Sequence, residues 1–288
     1  MKIIDTRPIM ERLKEEYKHE ISKLPTKPKF TIVSVGNVSS NEVYVRNKLK
    51  HCEEVGIDVR HITLPKTVKE RDLINTINTA QYNSDSIILQ LPLDCDNEIN
   101  IDDVLNRIDA HKDVDGLTVH NQGRLHTGNP LLIPATPKAI MKFLKEIDYN
   151  VEGRNVAIIG RSTLVGSSLA ALMTQANATV TLLHSKSDDS VFCDIEEGMF
   201  DVVVSCVGKP LQFKNINADV IIDVGINFLD GKMVGDIDIG NCSYKYATIP
   251  PSKDRGIRGG IGSLTCMALI SNVIASYKLQ HGLGGVDL

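Results

Sequence analysis

Three separated segments in the first half of the chain carry polar side chains that packing does not require. The first is Tyr44-Val45-Arg46-Asn47-Lys48, where a spacing of four places an aromatic ring and an amine on one face of a helix. The second is Gln90, which follows Ile87-Ile88-Leu89 and precedes Leu91-Pro92-Leu93. It stands at the C-terminal end of a predicted central strand, where open α/β sheets bind their ligands. The third is Lys112-Asp113-Val114-Asp115-Gly116, a turn-like acidic cluster. Taken singly, each also fits a structural part: Tyr44 and Lys48 lying along a surface helix, Gln90 satisfied by backbone, Asp115 forming a turn. Their joint occurrence favours a site.

A second kind of chemistry is suggested by Gly160-Arg161-Ser162-Thr163-Leu164-Val165-Gly166, directly after an apolar β-branched run and before a helical pattern. Glycine permits a tight turn, and a helix N-terminus offers N–H groups and a positive dipole end to a pyrophosphate. The loop is not the usual G-x-G-x-x-G, since Ser162 takes the middle glycine position, and alone it also fits any strand-to-helix turn. The next predicted strand ends at Leu183 and is followed by His184-Ser185-Lys186, where an NAD site normally carries an acid for the ribose hydroxyl. Ser185, Lys186 and Arg161 suit a 2′-phosphate instead, so the pattern favours NADP; Lys186 by itself also fits a solvated surface lysine.

The elements that must hold these residues follow from periodicity. Thr31–Val35, Val59–Leu64 and Ser86–Leu93 are apolar strand patterns, separated by helical patterns over Ser40–Val55 and Val68–Tyr82, and an amphipathic pattern over Pro8–Leu24 precedes them. Alternation of this kind implies a parallel sheet covered by helices. After the proline-rich stretch 130–137 a second series begins, with strands at Val156–Gly160, Ala178–Leu183, Asp201–Ser205 and Val220–Val224 and a helix over Leu164–Ala176. The chain is therefore read as α/β with two domains meeting near residue 135, the segment Thr136–Ile147 forming a helix into the second.

Composition excludes other classes. The 288 residues are 42% hydrophobic and 24% charged, an ordinary globular balance, with 32 basic against 36 acidic side chains and a net charge of −4. Neither disorder nor nucleic-acid binding suits that balance. Apolar runs stay under about ten residues, short of the ~20 that span a bilayer, and the charged start Met1-Lys2-Ile3-Ile4-Asp5 is unlike a signal peptide, so a soluble cytoplasmic protein is expected. The six cysteines show no C-x-x-C and are expected to be reduced and buried; no His/Cys cluster has metal-ligand spacing, so no metal is expected.

Together these residues resemble the bifunctional methylenetetrahydrofolate dehydrogenase/cyclohydrolase family. The resemblance is carried, in order, by Tyr44-Val45-x-x-Lys48, Gln90-Leu91-Pro92-Leu93, Lys112-Asp113-Val114-Asp115-Gly116, Asn121-x-Gly123-Arg124-Leu125, Thr136-Pro137, Gly160-Arg161-Ser162 with Val165-Gly166, Ala178-Thr179-Val180-Thr181, His184-Ser185 and Asp223-Val224-Gly225-Ile226-Asn227. It implies oxidation of 5,10-methylenetetrahydrofolate with NADP and hydrolysis of the methenyl product to 10-formyltetrahydrofolate. It implies an N-terminal catalytic domain over 1–134, with a C-terminal helix in 264–288 packing back on it, a Rossmann-like NADP domain over 135–263, and a cleft between them.

By the same resemblance Lys48 would be the central proton-transfer or water-activating group, Gln90 would hold and tune it, Tyr44 would stack on the aminobenzoate ring and Asp115 would bond the pterin. Leu89, Leu91, Gly259 and Gly260 would complete the folate site, and Gly160, Arg161, Ser162, Ser185 and Ile226 would bind NADP. A lysine partnered by neutral glutamine suits reversible proton transfer, because a carboxylate partner would raise its pKa. Polyglutamylated folates and a homodimer through the cofactor domain are further implications.

The chain departs from the family at Asn41, Ala110, Ala135 and Ser168, none of which removes a proposed catalytic side chain. The largest departure is Pro250–Thr265, where an insertion of about seven residues, rich in charge and glycine, is expected to form a longer, mobile loop. Three rival readings stand beside the bifunctional one: a single retained activity, a silent nucleotide- or folate-binding module, and a shikimate- or amino-acid-type dehydrogenase.

Overall fold

The structure is a computed structural model that describes residues 1–37 and 39–283, with backbone alone over 39–44. In chain order the first elements are β1 (Lys2–Ile3), α1 (Arg7–Ile21), β2 (Lys29–Val35), α2 (Ser39–Val55), β3 (Asp58–Leu64), α3 (Glu70–Tyr82), β4 (Ser86–Leu89), α4 (Ile101–Leu105), α5 (Val119–His126) and α6 (Ala135–Glu146). There follow β5 (Asn155–Ile159), α7 (Gly166–Gln175), β6 (Thr179–Leu183), α8 (Ser190–Glu196), β7 (Val202–Ser205), β8 (Asn217–Asp223), β9 (Asn227–Leu229), β10 (Lys232–Val234), β11 (Ser243–Thr248) and α9 (Ile261–His281). Two compact units result, one of Arg12–Ala135 with Cys266–Leu288, the other of Met1–Glu11 with Thr136–Thr265. Residues 1–11 group with the second unit because β1 pairs parallel to β11, Lys2 opposite Tyr246 and Ile3 opposite Ala247.

In the unit of residues 12–135 and 266–288, a parallel sheet runs β3-β2-β4. Every residue of β2 after Lys29 is buried, as a β-branched run covered on both faces should be. Below it Leu73, Ile77 and Ala80 of α3, one helical face, pack with Val33, Ile87 and Leu89. Strand β4 stops at Leu89, four residues before the end of the apolar run, since Pro92 has no N–H to extend a ladder. It is the end strand of three rather than a central one, but its free side is not bare: Ile87 forms a parallel bridge with Asp113 and its N–H donates to Lys112 O at 2.9 Å. The chain then turns, Gly116 N–H donating to Asp113 O at 3.0 Å, so Asp115 sits in the turn that directly follows this bridge.

Helix α9 fixes that segment from behind. It is apolar nearly all round and buried accordingly, yet carries fully buried Asn272 and Ser276. Asn272 Nδ2 donates to Val114 O at 2.8 Å and Ile133 O at 2.6 Å, and Ser276 Oγ lies 2.7 Å from Asp85 O and 2.6 Å from His111 O. The cysteines correct the sequence reading in part: all six are free, but only Cys52 and Cys266 are buried, while Cys193 is exposed.

In the other unit six parallel strands run β1-β11-β8-β7-β5-β6. From β5 the chain first adds β6 on one side and then returns to add β7, β8 and β11 on the other, so the topological switch point lies between β5 and β7. Ala157, Ile159, Val203 and Ile221 form the centre of its core. The inserted stretch is not an open loop. Ser252 and Ile257 exchange both backbone hydrogen bonds at 2.9 Å around a turn in which Gly256 takes φ +67°, and Ile257 packs on the core.

Two buried carboxylates tie together the loops leaving β7, β8 and β10. Asp223 Oδ1 accepts from Gly225 N (3.1 Å) and Asp236 N (2.9 Å), and Oδ2 from Ile237 N (2.9 Å). Asp236 accepts from Ser205 Oγ, Val207 N and Gly208 N on one oxygen and from Lys209 N and Asn227 Nδ2 on the other. A Cβ on Gly225 or Gly235 would stand 2.0 Å from Asp236 Oδ1 or 1.8 Å from Asp223 Oδ2, so glycine is required at both.

Two outcomes are expected. Asn272→Ala strips the donor from two buried carbonyls and should cost about 2–4 kcal/mol in urea unfolding. Burial, with the nearby Asp236 carboxylate adding to it against three backbone donors, pushes Asp223 up to about 7. The unfolded carboxyl titrates at about 3.9, so the folded chain holds a proton there that the unfolded chain has released. This stabilises below pH about 4 and is lost as pH rises through about 7. The stability difference between parent and Asp223→Asn should therefore fall across that window; a flat difference would contradict the assignment.

Candidate active site

Lys48 reaches its place because of the face it occupies. Val45, Cys52 and Val55 are the buried stripe of α2, and Lys48 falls within that stripe, half-buried, at i+3 from Val45. Its stem is covered and its Nζ donates to Gln90 Oε1 at 2.8 Å. Gln90 is itself oriented: its Nε2 donates to Leu91 O at 2.9 Å and its N–H to Val33 O at 2.8 Å. The glutamine oxygen is thereby aimed at the amine.

Asp115 completes the cluster. Burial raises its carboxyl above the usual range, the Lys48 ammonium pulls it back, and Asp113 pushes it up again. The two acids of this segment have separate duties. Asp113 Oδ2 accepts from Thr118 N (2.8 Å) and Asn121 Nδ2 (2.9 Å), fixing the start of α5, where Thr118 is the N-cap. Cys52 and Cys266 are close enough for the Lys48 charge to act on both; burial dominates and pushes each thiol up, so both stay protonated. They are apolar wall, not nucleophiles.

The structure thus brings Lys48, Gln90 and Asp115 together. The side chain of Tyr44 lies outside the described residues. Leu89 is a core residue of β4, its side chain packed with Val33 and Ile87, while Leu91 is half-buried beside it. Gly259 and Gly260 belong to the other unit and are both buried. There Gly259 N donates to Asp5 Oδ1 at 2.8 Å, Thr6 Oγ1 donates to Gly260 O at 2.8 Å, and a Cβ on Gly260 would stand 2.3 Å from Ile249 O.

The second cluster of expected residues surrounds the turn after β5. Gly160 takes φ +119°, and a Cβ there would stand 2.7 Å from Cys206 Sγ; one on Gly166 would stand 1.8 Å from Gly160 O. The chain therefore folds back onto itself with no room for a side chain at positions 160 and 166, and α7 begins at Gly166. Ser162 stabilises the turn, its Oγ accepting from Val165 N at 3.3 Å and its carbonyl from Ser167 N at 3.0 Å. Because Ile159 pairs with Leu183, Arg161 and Ser185 leave neighbouring strand ends, both exposed. Ile226 follows β8, half-buried. A tight turn at a helix start, on the carboxyl edge beside the switch point, fits a dinucleotide pyrophosphate.

Several residues that shape these sites escaped the sequence reading. Asn272 and Ser276 are polar positions inside an apolar 21-residue helix, and that mismatch was their signal. Asp5 and Thr6, which hold the Gly259-Gly260 turn from 254 residues away, left none.

Comparison with known proteins bears on both clusters. Residues 4–115 match the model of the tetrahydrofolate dehydrogenase/cyclohydrolase catalytic domain, and residues 134–281 that of the same family's NAD(P)-binding domain. The chain is 36% identical to the bifunctional protein FolD of Rickettsia bellii, over 96% of this chain and 98% of that one, and 37% identical to that of Macrococcus caseolyticus, over 96% and 98%. Among solved structures, the bifunctional FolD of Campylobacter jejuni superposes with a TM-score of 0.87 at 30% identity, covering 97% of this chain and 99% of that one. The Trypanosoma brucei dehydrogenase-cyclohydrolase, solved with NADP cofactor and an inhibitor, gives 0.86 at 27% identity, covering 97% and 98%. With a lysine, glutamine and aspartate gathered in one unit and a dinucleotide cradle in the other, the chain belongs to the tetrahydrofolate dehydrogenase/cyclohydrolase family and is a bifunctional enzyme of folate one-carbon metabolism.

Proposed function

We propose that Lys48, Gln90 and Asp115 carry the folate chemistry of this enzyme, and that Gly160, Arg161, Ser162, Ser185 and Ile226 hold its cofactor, NADP. The observation that carries the reading is the 2.8 Å contact from Lys48 Nζ to Gln90 Oε1, with Asp115 near enough for its carboxyl to feel the amine.

The enzyme oxidises 5,10-methylenetetrahydrofolate to the 5,10-methenyl form and hydrolyses that to 10-formyltetrahydrofolate. Bound NADP supplies the hydride acceptor for the first step, and the remaining work falls to the protein. Asp115 accepts hydrogen bonds from the pterin N–H groups and so sets the ring's position. Tyr44 stacks on the aminobenzoate ring. Leu91 and the backbone of Leu89 line the site near Gln90.

In the second step water adds to the methenyl carbon and gives up a proton. The carbon–N5 bond then breaks as N5 takes a proton and the carbinol hydroxyl releases its own to water, so the formyl group stays on N10 and one proton is released overall. Lys48 receives and returns the proton at Nζ. Gln90 suits this role because its oxygen can accept from the amine in either protonation state without locking it as the ammonium, as a carboxylate at the same 2.8 Å would. Arg161 and Ser185, at adjacent strand ends, bind the 2′-phosphate by charge-assisted hydrogen bonds.

Homodimerisation through the cofactor-binding unit, use of polyglutamylated folates and a cytoplasmic setting belong to the same proposal. The exposed Phe228 and Leu229 of β9 support the first, and no described helix is long and apolar enough to cross a membrane.

Two measurements test these roles. Lys48→Met should lower methenyltetrahydrofolate hydrolysis by about 10²–10⁴-fold while the protein stays folded; a variant hydrolysing at the parent rate would remove Lys48 from the mechanism. Arg161→Ala should weaken NADP binding about tenfold and leave NAD binding nearly unchanged, whereas equal losses would assign Arg161 to the pyrophosphate or to folding.

A further inference from the structure

Asp236 is fully buried and takes no part in the chemistry described above, yet it accepts five hydrogen bonds. Four come from one short segment, the exit of β7: Ser205 Oγ at 2.9 Å, Val207 N at 2.9 Å, Gly208 N at 3.3 Å and Lys209 N at 2.9 Å. The fifth is Asn227 Nδ2, at 3.0 Å, from the strand that follows Ile226. Three consecutive peptide N–H groups are thus turned inward onto one carboxylate. Such a run of N–H groups is an anion-binding nest, and here the protein fills it with its own side chain.

The place of this segment gives the arrangement a function. Strands β5 and β7 are the neighbours that flank the switch point, and dinucleotides bind across the loops leaving those two strands. The segment also touches the phosphate turn: Cys206 N donates to Ile159 O at 2.9 Å, and the room that a Cβ on Gly160 would need is taken by Cys206 Sγ and its carbonyl. A shift of the β7 exit would therefore move one wall of the cofactor cradle. Asp223 steadies the clamp from the other side, since its Oδ1 and Oδ2 accept from the N–H groups of Asp236 and Ile237.

We propose that Asp236 is a positioning residue for the cofactor site: by holding Ser205–Lys209 it fixes the wall of the cradle opposite the Gly160 turn, and so sets affinity for NADP and hydride transfer without serving the hydrolytic step. The inference rests on the assignment of the cradle to NADP. Asparagine cannot replace Asp236, because its NH2 would face N–H donors now served by one of the two carboxylate oxygens. Gly208 offers an independent handle. It takes φ +69° with open space around the position of a Cβ, so alanine there disfavours the loop conformation without a clash and without touching Asp236.

The test uses the full chain, with NADPH binding followed by fluorescence titration without folate, and methenyltetrahydrofolate hydrolysis followed without cofactor. Asp236→Asn should weaken NADPH binding about tenfold or more, Gly208→Ala about threefold or more, and both should keep hydrolysis within about twofold of the parent. A purely structural role would lower both readouts together and overturns the proposal, as does a folded Asp236→Asn that binds NADPH like the parent. If Asp236→Asn does not fold, Gly208→Ala decides by the same split, and unchanged binding overturns it. A parent chain that fails to bind NADPH refutes the cofactor assignment itself, an outcome distinct from the failure of Asp236 alone.

Discussion

Peptide groups that leave the carboxyl ends of parallel strands lose their ladder partners just where a ligand must be met, and in a buried setting they must find others. This chain meets that constraint with buried polar side chains. Asp223 and Asp236 take up N–H groups leaving β7, β8 and β10, Asp113 takes those at the start of α5, and Asn272 and Ser276 supply donors to the carbonyls of the Asp113–Asp115 segment and its neighbours. The β7 and β10 exits and the segment before α5 are thereby held by buried side chains. The glycines at 225 and 235 follow from the same constraint, because the carboxylates lie against the backbone at those points.

The acids divide by how many donors they receive. Asp236 is saturated by five and Asp113 shares two, so both are occupied as structural acceptors. Asp115 stands in a different environment, where burial lifts its carboxyl and the strongest opposing influence is the Lys48 ammonium. A carboxyl so placed gains from a partner that donates hydrogen bonds. The contrast between neighbours, Asp113 and Asp115, separates the scaffold from the site within three residues.

Lys48 depends on a related economy of placement. Its helix turns it into the buried stripe, where an amine needs a polar partner, and Gln90 supplies one that carries no charge. Gln90 in turn is pinned through both its backbone and its amide, so the protein's own groups hold the pair. The two thiols near the amine remain protonated, held so by burial.

Much of this was legible in the order of residues. Continuous apolar runs located β2, β5, β6, β7 and β8, and a period-3.6 pattern α3, to within a few residues, because strands inside a covered parallel sheet demand such runs. The turn Gly160–Gly166 and the types and spacing of Lys48, Gln90 and Asp115 stood out for the same reason: local rules alone do not ask for them. What local rules could not supply was pairing. That β1 belongs beside β11, and that β4 ends the ladder at Leu89 and has Asp113 for a neighbour, are decided by contacts between distant residues. Asp236 marks the limit most clearly. In sequence it is one acid after a glycine, and only when β7, β8 and β10 come together do five donors converge on it, because a hydrogen bond depends on distance and direction in space, not on separation along the chain.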